Sequence, residues 1–114
     1  MTAPDLSPAF AKARKAAAGL RQVEESTWYG TPALKVGGKG FMRVKDAETL
    51  VLMCPLEEKE LLIEAAPEIY FETDHYKGWA AILVRAARIT DAELARRLEV
   101  AWRLKAPRRL LKDR

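Results

Sequence analysis

The sequence has few of the residues that catalytic, metal-binding and secreted proteins usually depend on. Its 114 residues include one cysteine, Cys54, and one histidine, His75. A single cysteine excludes an internal disulfide, and a lone histidine does not specify a metal site, which takes three or four protein ligands. No glycine-rich phosphate loop stands out either. We therefore expect no cofactor and no bound metal.

Long apolar runs are also absent. No stretch approaches the roughly 20 residues that a membrane-spanning helix requires, and the first residues lack the basic and then apolar pattern of a secretory signal. The composition, 49% hydrophobic and 32% charged, is typical of a soluble globular protein. With Cys54 expected as a buried apolar group, these features predict a cytoplasmic protein with one domain over residues 1–114 and no membrane contact.

Positive charge is distributed unevenly along the chain. The net charge of +4 is divided into +3 for residues 1–22, −4 for residues 23–102 and +5 for residues 103–114. Basic surfaces attract polyanions such as nucleic acids. Any contact with nucleic acid is therefore expected at the two ends or at a local cluster of basic residues, and not over the acidic middle.

The stretch from residue 23 to residue 54 predicts a β-meander. Short apolar runs are separated by polar turns, and residues 37–40 contain three glycines, which is a strong hairpin signal. The Tyr-Gly-Thr-Pro segment at 29–32 interrupts the pattern earlier, because proline lacks an N–H and glycine tolerates bent backbone. The pairing register of these strands stays open, since a shift of one residue would exchange the two faces.

Three helices are expected, beginning at Ser7, Leu56 and Thr90. The Ser7 hydroxyl should cap the first, and Thr90 with Glu93 should form a capping box at the start of the third. Trp102 lies on the apolar stripe of the third helix and should be buried. In the second helix, the residues expected to face inward are Leu61, Leu62 and Ala65.

Two further strands, at residues 68–72 and 79–85, complete the order α-β-β-β-β-α-β-β-α. This order predicts an α+β fold, with one mainly antiparallel sheet and three helices on one face. Pro107 should end the third helix and leave residues 107–114 as a basic tail. Residues 1–6 are expected to be loose.

Two motifs in this sequence resemble the MmcQ/YjbR-like family of small bacterial proteins. One is Tyr-Gly-Thr-Pro-Ala-Leu-Lys-Val at 29–36, and the other is Thr-Asp-His-Tyr-Lys-Gly-Trp at 73–79. The resemblance extends over residues 23–110 with order and spacing kept. One departure is visible at residues 20–23, where the family usually has Leu-Pro-Gly-Val and this chain has Leu-Arg-Gln-Val.

The resemblance implies a compact double-wing α+β protein, of a family proposed to bind DNA, and it carries over no established reaction. The glycine turn and the second motif would then form the wings, and phosphate contacts would supply affinity without sequence preference. We expect weak DNA binding by a monomer. The candidate nucleic-acid-binding residues are Lys35, Lys39, Arg43, His75, Tyr76, Lys77, Arg108, Arg109 and Lys112.

Two other classes of function remain open. A protein- or small-ligand-binding module would use a groove lined by aromatic residues, although large aromatics are also common in cores. An enzyme is the less favoured alternative, because His75 and its neighbour Asp74 have too few partners for a triad. We therefore expect no enzymatic activity. The candidate groove aromatics are Trp28, Tyr29, Tyr76 and Trp79.

Overall fold

The computed structural model describes residues 5–111, and all structural statements concern that part of the chain. The fold is α+β, as predicted, and the strands and helices follow the predicted order with a 3-10 turn and a short fourth helix added. Their bounds are α1 (Ser7–Ala16), β1 (Glu24–Trp28), β2 (Thr31–Val36), β3 (Lys39–Asp46), β4 (Thr49–Met53), α2 (Leu56–Ala65), β5 (Tyr70–Phe71), the 3-10 turn (Asp74–Tyr76), β6 (Ala81–Arg85), α3 (Asp91–Lys105) and α4 (Arg108–Leu111).

The strands form one six-stranded sheet in the order β1-β2-β3-β4-β6-β5. Every neighbouring pair is antiparallel, and β1 to β4 are the predicted meander. Val36 pairs with Lys39, which leaves Gly37 and Gly38 as a two-residue turn with φ values of 58° and 79°. Positive φ at both central positions is the signature of a type I′ turn, so the two glycines make the hairpin possible. At one edge of the sheet, β1 is exposed along most of its length.

One face of the sheet is covered by helices and contains the main core. Both α1 and α3 pack over it, and α3 contacts β3, β4 and α1. Leu34, Met42, Leu50 and Leu52 point into this core, where Trp102 of α3 is 0% exposed. The predicted burial of Trp102 is therefore confirmed. We call this the helix-covered face.

The opposite face, here called the open face, carries the alternate residues of the same strands. The register places Ala33, Arg43, Val51 and Leu83 side by side across β2, β3, β4 and β6. Only a small apolar cluster lies here, formed by Val51 and Leu83 with Ala81 and with Tyr76 of the 3-10 turn. Because no α-helix is part of that cluster, this face has room for a groove.

The predicted helix caps are half right. Ser7 is the first helical residue of α1 and not its N-cap, which is Leu6, and the carboxylate of Asp5 accepts the Ser7 backbone N–H at 3.0 Å. At the start of α3, the Thr90 hydroxyl accepts the Glu93 N–H at 3.1 Å, as predicted. The Glu93 carboxylate, however, accepts a hydrogen bond from the Tyr70 hydroxyl. The second half of the capping box is replaced by this link between α3 and β5.

The predicted inward face of α2 is wrong at Leu61 and Ala65, whereas Leu62 packs against the main core. Leu61 is 66% exposed, Ala65 is exposed and Leu62 is half-buried. The buried residue of α2 is Lys59, which is 1% exposed. This helix packs beside the β5–β6 end of the sheet, where Leu62 and Ile63 lie against the main core.

The turn that leads into β1 has arginine and glutamine where the family that the sequence resembles usually has proline and glycine. Gln22 adopts a φ of 53°, the left-handed conformation that glycine takes most readily. Two contacts hold this turn in place. The Trp102 indole N–H donates to the Arg21 carbonyl at 3.0 Å, and Arg109 donates to the Gln22 side-chain oxygen at 3.2 Å.

The segment after Pro107 differs from the expected basic tail. Pro107 lies outside α3, as predicted, but residues 108–111 form α4, which is anchored by the buried Leu110. Pro107 packs so closely on the Gly37 turn that a Cβ on Gly37 would lie 2.9 Å from its Cγ. Lys112 lies outside the described residues. Within residues 5–111, no helix is long and apolar enough to span a bilayer.

Candidate functional site

A groove crosses the open face and consists of two connected depressions. The larger has a volume of about 610 Å³ and lies between the β2–β3 hairpin, the start of β6 and the end of α3. The smaller, of about 260 Å³, lies over the 3-10 turn. Trp79 lines both. The residues that give this groove its chemistry are Trp28, Tyr29, Lys35, Lys39, Arg43, His75, Tyr76, Trp79 and Lys105.

The first aromatic pair of the groove is formed by Trp28 and Tyr29. Trp28 pairs with Thr31, so Tyr29 and Gly30 form a two-residue turn with φ values of 55° and 78°. Successive side chains of a strand point to opposite faces, but the left-handed conformation of Tyr29 brings its ring back over its neighbour. The two rings stack with centroids 5.7 Å apart, and Tyr29 is 74% exposed.

Close packing on a glycine fixes the position of Trp28. A Cβ on Gly40 would lie 2.5 Å from Cε3 of the Trp28 ring, closer than any real contact. Only glycine at residue 40 therefore lets the indole lie against β3. The three-glycine segment thus has two roles, because Gly37 and Gly38 make the turn and Gly40 accommodates the tryptophan.

The second aromatic group comes from the loop that contains the 3-10 turn. His75 and Trp79 stack with centroids 5.9 Å apart, and Tyr76 meets both edge-on. The sequence predicted Trp79 as the first residue of a buried strand, but β6 begins at Ala81 and Trp79 is 55% exposed. Tyr76 is buried and forms the floor of the groove.

Arg43 joins the two aromatic groups. Its guanidinium donates to the Tyr76 hydroxyl at 2.8 Å and to the Thr31 hydroxyl at 3.1 Å. The same guanidinium lies 5.4 Å from the Tyr29 ring centroid, within the range of a cation–π contact. Two of its hydrogen bonds are thus used inside the protein. Arg43 is better placed to organise the groove than to serve as a free phosphate contact.

The buried Lys59 holds the loop that carries Trp79. Its ammonium donates to the carbonyls of Tyr76 at 2.8 Å and Trp79 at 3.0 Å, and it forms an ion pair with Glu72 at 2.8 Å. A lysine has three N–H donors, and all three are satisfied here. Sequence reasoning missed this residue, because its partners lie 13 to 20 residues away and an acidic first helical turn resembles an ordinary solvated face.

Three lysines give the larger depression a positive charge. Lys35 and Lys39 come from the β2–β3 hairpin and Lys105 from the last turn of α3. Within residues 5–111, none of the three forms an ion pair, and no Asp or Glu lines the groove. Glu24 lies opposite Lys35 in the β1–β2 register, but their side chains do not form an ion pair. Lys105 had no sequence signal, because only the fold brings the end of α3 to this hairpin.

The remaining candidate residues lie outside the groove. Lys77 borders a separate depression whose other charged residues include Glu60, Glu64 and Glu72. Arg108 and Arg109 are exposed on α4, where Arg109 is bound to the Gln22 side chain. The structure thus places Lys35, Lys39, Arg43, His75 and Tyr76 in the same groove as Trp28, Tyr29 and Trp79, and it separates the other candidates from them. The roles of all these residues in binding stay predictions.

The lone thiol lies in the core and not in the groove. Cys54 is buried at the end of β4, and burial raises its pKa to about 11. A thiol in this state is protonated at neutral pH and is a poor nucleophile. In the described part of the chain, no group of three or more His, Cys, Asp or Glu residues is placed to hold a metal ion.

The fold places this chain in the class of small α+β proteins with an antiparallel sheet covered by helices on one side. Within that class, the YjbR family model matches residues 18–104, so the chain belongs to the YjbR family, as its motifs predicted. The crystal structure of a Deinococcus radiodurans protein with a DUF419 domain has the same fold, with a TM-score of 0.70 and 18% identity. That likeness covers 88% of this chain and 83% of the other.

Similar sequences come from mycobacteria. Uncharacterized proteins of Mycobacterium bovis and Mycobacterium tuberculosis are 40% identical to this chain over 53 residues. The match covers 46% of this chain and 41% of each relative, so it spans less than half of the relatives' length.

Proposed function

We propose that this protein is a nucleic-acid-binding protein without enzymatic activity, which binds DNA weakly and without sequence preference as a cytoplasmic monomer. The observation that carries the proposal is the groove on the open face. The groove contains three lysines that have no ion-pair partner within residues 5–111. It also contains exposed aromatic rings, and no described carboxylate lines it. The resemblance to a family proposed to bind DNA supports the same conclusion.

The chemistry of the groove suits a polyanion that also carries planar groups. Lysines that have no internal partner neutralise phosphates and release counterions, which supplies affinity independent of base sequence. The Gly37–Gly38 turn and the 74–79 loop border the groove, and in this proposal they serve as the two wings implied by the resemblance. The basic residues of α4 lie outside it, so we assign them a smaller share of the affinity than the sequence alone suggested.

The salt dependence of binding tests the proposal. If Lys35, Lys39 and Lys105 each neutralise one phosphate of duplex DNA, replacing all three by alanine should flatten the log–log slope of affinity against salt by up to about 2.7. Fluorescence anisotropy with a labelled oligonucleotide, repeated at several salt concentrations, measures that slope.

Two matched variants control for the loss of charge. Lys15, Arg88 and Arg96, replaced together by alanine, remove the same charge from exposed positions outside the groove and should leave most of the slope intact. Replacing Arg108, Arg109 and Lys112 tests the C-terminal residues in the same way. Binding by the wild type no stronger than that of an unrelated protein of equal net charge would overturn the proposal.

A second candidate function follows from the size of the groove. A volume of about 610 Å³ falls in the range of pockets that hold small molecules. A small aromatic anion would use the same lysines and rings. If such an anion is the ligand, the affinity of the protein for oligonucleotides should not increase with their length. The anion should also compete with nucleic acid for the groove.

A further inference from the structure

Building on the proposed function, we infer that the groove takes single-stranded nucleic acid in preference to duplex, by stacking unpaired bases on Tyr29 and Trp79. Both rings are unusually exposed for large aromatics, and neither is part of a core cluster. Each is supported on one side by a second ring, Trp28 behind Tyr29 and His75 behind Trp79. Each ring is therefore oriented by its neighbour while its other side stays exposed.

The backbone of Tyr29 supports a role in binding. A two-residue type I′ turn is made most readily by Asn-Gly, and a tyrosine in the left-handed conformation costs about 1–2 kcal/mol. Backbone strain of this kind is found at functional sites, where the side chain has a role that a less strained residue would not fill. The Tyr29 ring gains contact with Trp28 and Arg43 but remains largely exposed, so burial does not explain the strained residue.

The arrangement of charge and rings matches a single strand. The aromatic end of the groove is lined by Tyr29, His75 and Trp79, and the cationic end by Lys35, Lys39 and Lys105. A single strand offers accessible base faces and phosphates in alternation along its length, and it can place each at its own end of the groove. A duplex buries its base faces, so it would use the lysines and leave the aromatic end without a partner.

Three probes of equal length separate these possibilities, namely a thymidine oligonucleotide, an abasic strand with the same phosphates, and a duplex. We expect the thymidine strand to bind more tightly than the other two and to quench tryptophan fluorescence. Of the three tryptophans, Trp102 is fully buried, so quenching should come from Trp28 and Trp79. Stacking on one ring corresponds to about a 5- to 150-fold difference in affinity.

Substitutions at Tyr29 and Trp79 then assign the effect to the rings. Tyr29→Asn keeps a residue that accepts the left-handed turn but removes the ring, and it should abolish much of the thymidine preference. Tyr29→Phe keeps the ring and should retain that preference. Trp79→Ala provides the same test at the other ring, and thermal melting verifies that each variant is folded.

The outcomes separate this inference from the proposed function. Equal binding of the thymidine strand, the abasic strand and the duplex would overturn the stacking inference and leave nucleic-acid binding in place. A thymidine preference that survives both Tyr29→Asn and Trp79→Ala would also overturn it. Binding of none of the three probes above that of an equally charged unrelated protein would overturn both.

Discussion

The two faces of the sheet are built from alternate residues of the same strands, yet they have opposite characters. In β3, Met42 and Val44 are fully buried under α3, whereas Arg43 between them reaches the groove. The helix-covered face is apolar and closed, and the open face presents rings and lysines to solvent. One face thus contains the main core, and the other is free to carry the residues of the proposed binding groove.

This division means that stability and binding should respond to different substitutions. Changes on the helix-covered face should lower the free energy of unfolding without altering the affinity of the molecules that remain folded. Changes at the lysines and exposed rings should alter affinity while unfolding changes by less than about 0.5 kcal/mol, the usual range for surface positions. Lys59 and Tyr29 are the exceptions, since a substitution at either residue should change both stability and binding.

The largest effect on stability is expected for Trp102→Ala. It removes a fully buried indole from the helix-covered face, along with the hydrogen bond to the Arg21 carbonyl, so unfolding should be easier by about 3–5 kcal/mol. Urea unfolding followed by circular dichroism measures this loss. A loss below about 1 kcal/mol would show that Trp102 contributes little to the core.

Lys59→Met should have the next largest effect. It leaves the Tyr76 and Trp79 carbonyls and the Glu72 carboxylate without their donor, which should cost about 2–3 kcal/mol, since Glu72 is partly solvated. The loop of residues 74–79 should also exchange its amide hydrogens faster, and that local effect tests the positioning role directly. Lys77→Met, at an exposed lysine of the same loop, is the control and should leave both quantities nearly unchanged.

Cys54 should make stability depend on pH in the alkaline range. Its pKa is raised to about 11 in the folded state, so the stability it contributes is complete below its unfolded pKa, about 8.5, and is lost as pH rises towards 11. The free energy of unfolding should fall by about 1.5 kcal/mol between pH 8.5 and pH 10. In Cys54→Ala this decrease should be largely absent, and an unchanged decrease there would assign it to another group.

Tyr29→Asn should have the smallest effect, and of opposite sign. Asparagine adopts the left-handed conformation with less strain than tyrosine, so the β1–β2 turn should become more stable by about 0.5–1 kcal/mol despite the lost ring contacts. Thermal unfolding of this variant beside Tyr29→Phe measures the difference. A clear loss of stability in Tyr29→Asn would show that the ring supports the fold and would weaken its assignment to binding.

Sequence reasoning succeeded where local rules decide the structure. Gly37 and Gly38 fix a hairpin through their own backbone freedom, and the spacing of apolar residues in α3 predicted the burial of Trp102. It failed at Lys59 and Lys105, whose surroundings are assembled from segments far apart in the chain. At Trp79 the prediction of a strand was wrong, because this residue directly precedes an apolar run. The sequence does not distinguish a tryptophan that is buried in a strand from one that lies in the preceding loop and faces a groove.

The exposed position of β1 has a consequence for assembly. An edge strand presents unpaired backbone N–H and C=O groups that a strand from another molecule can join. This strand begins with Glu24 and Glu25, both exposed, and charged side chains on an edge strand disfavour pairing with another strand. The strand that ends in Trp28 therefore also disfavours extension of the sheet at this edge.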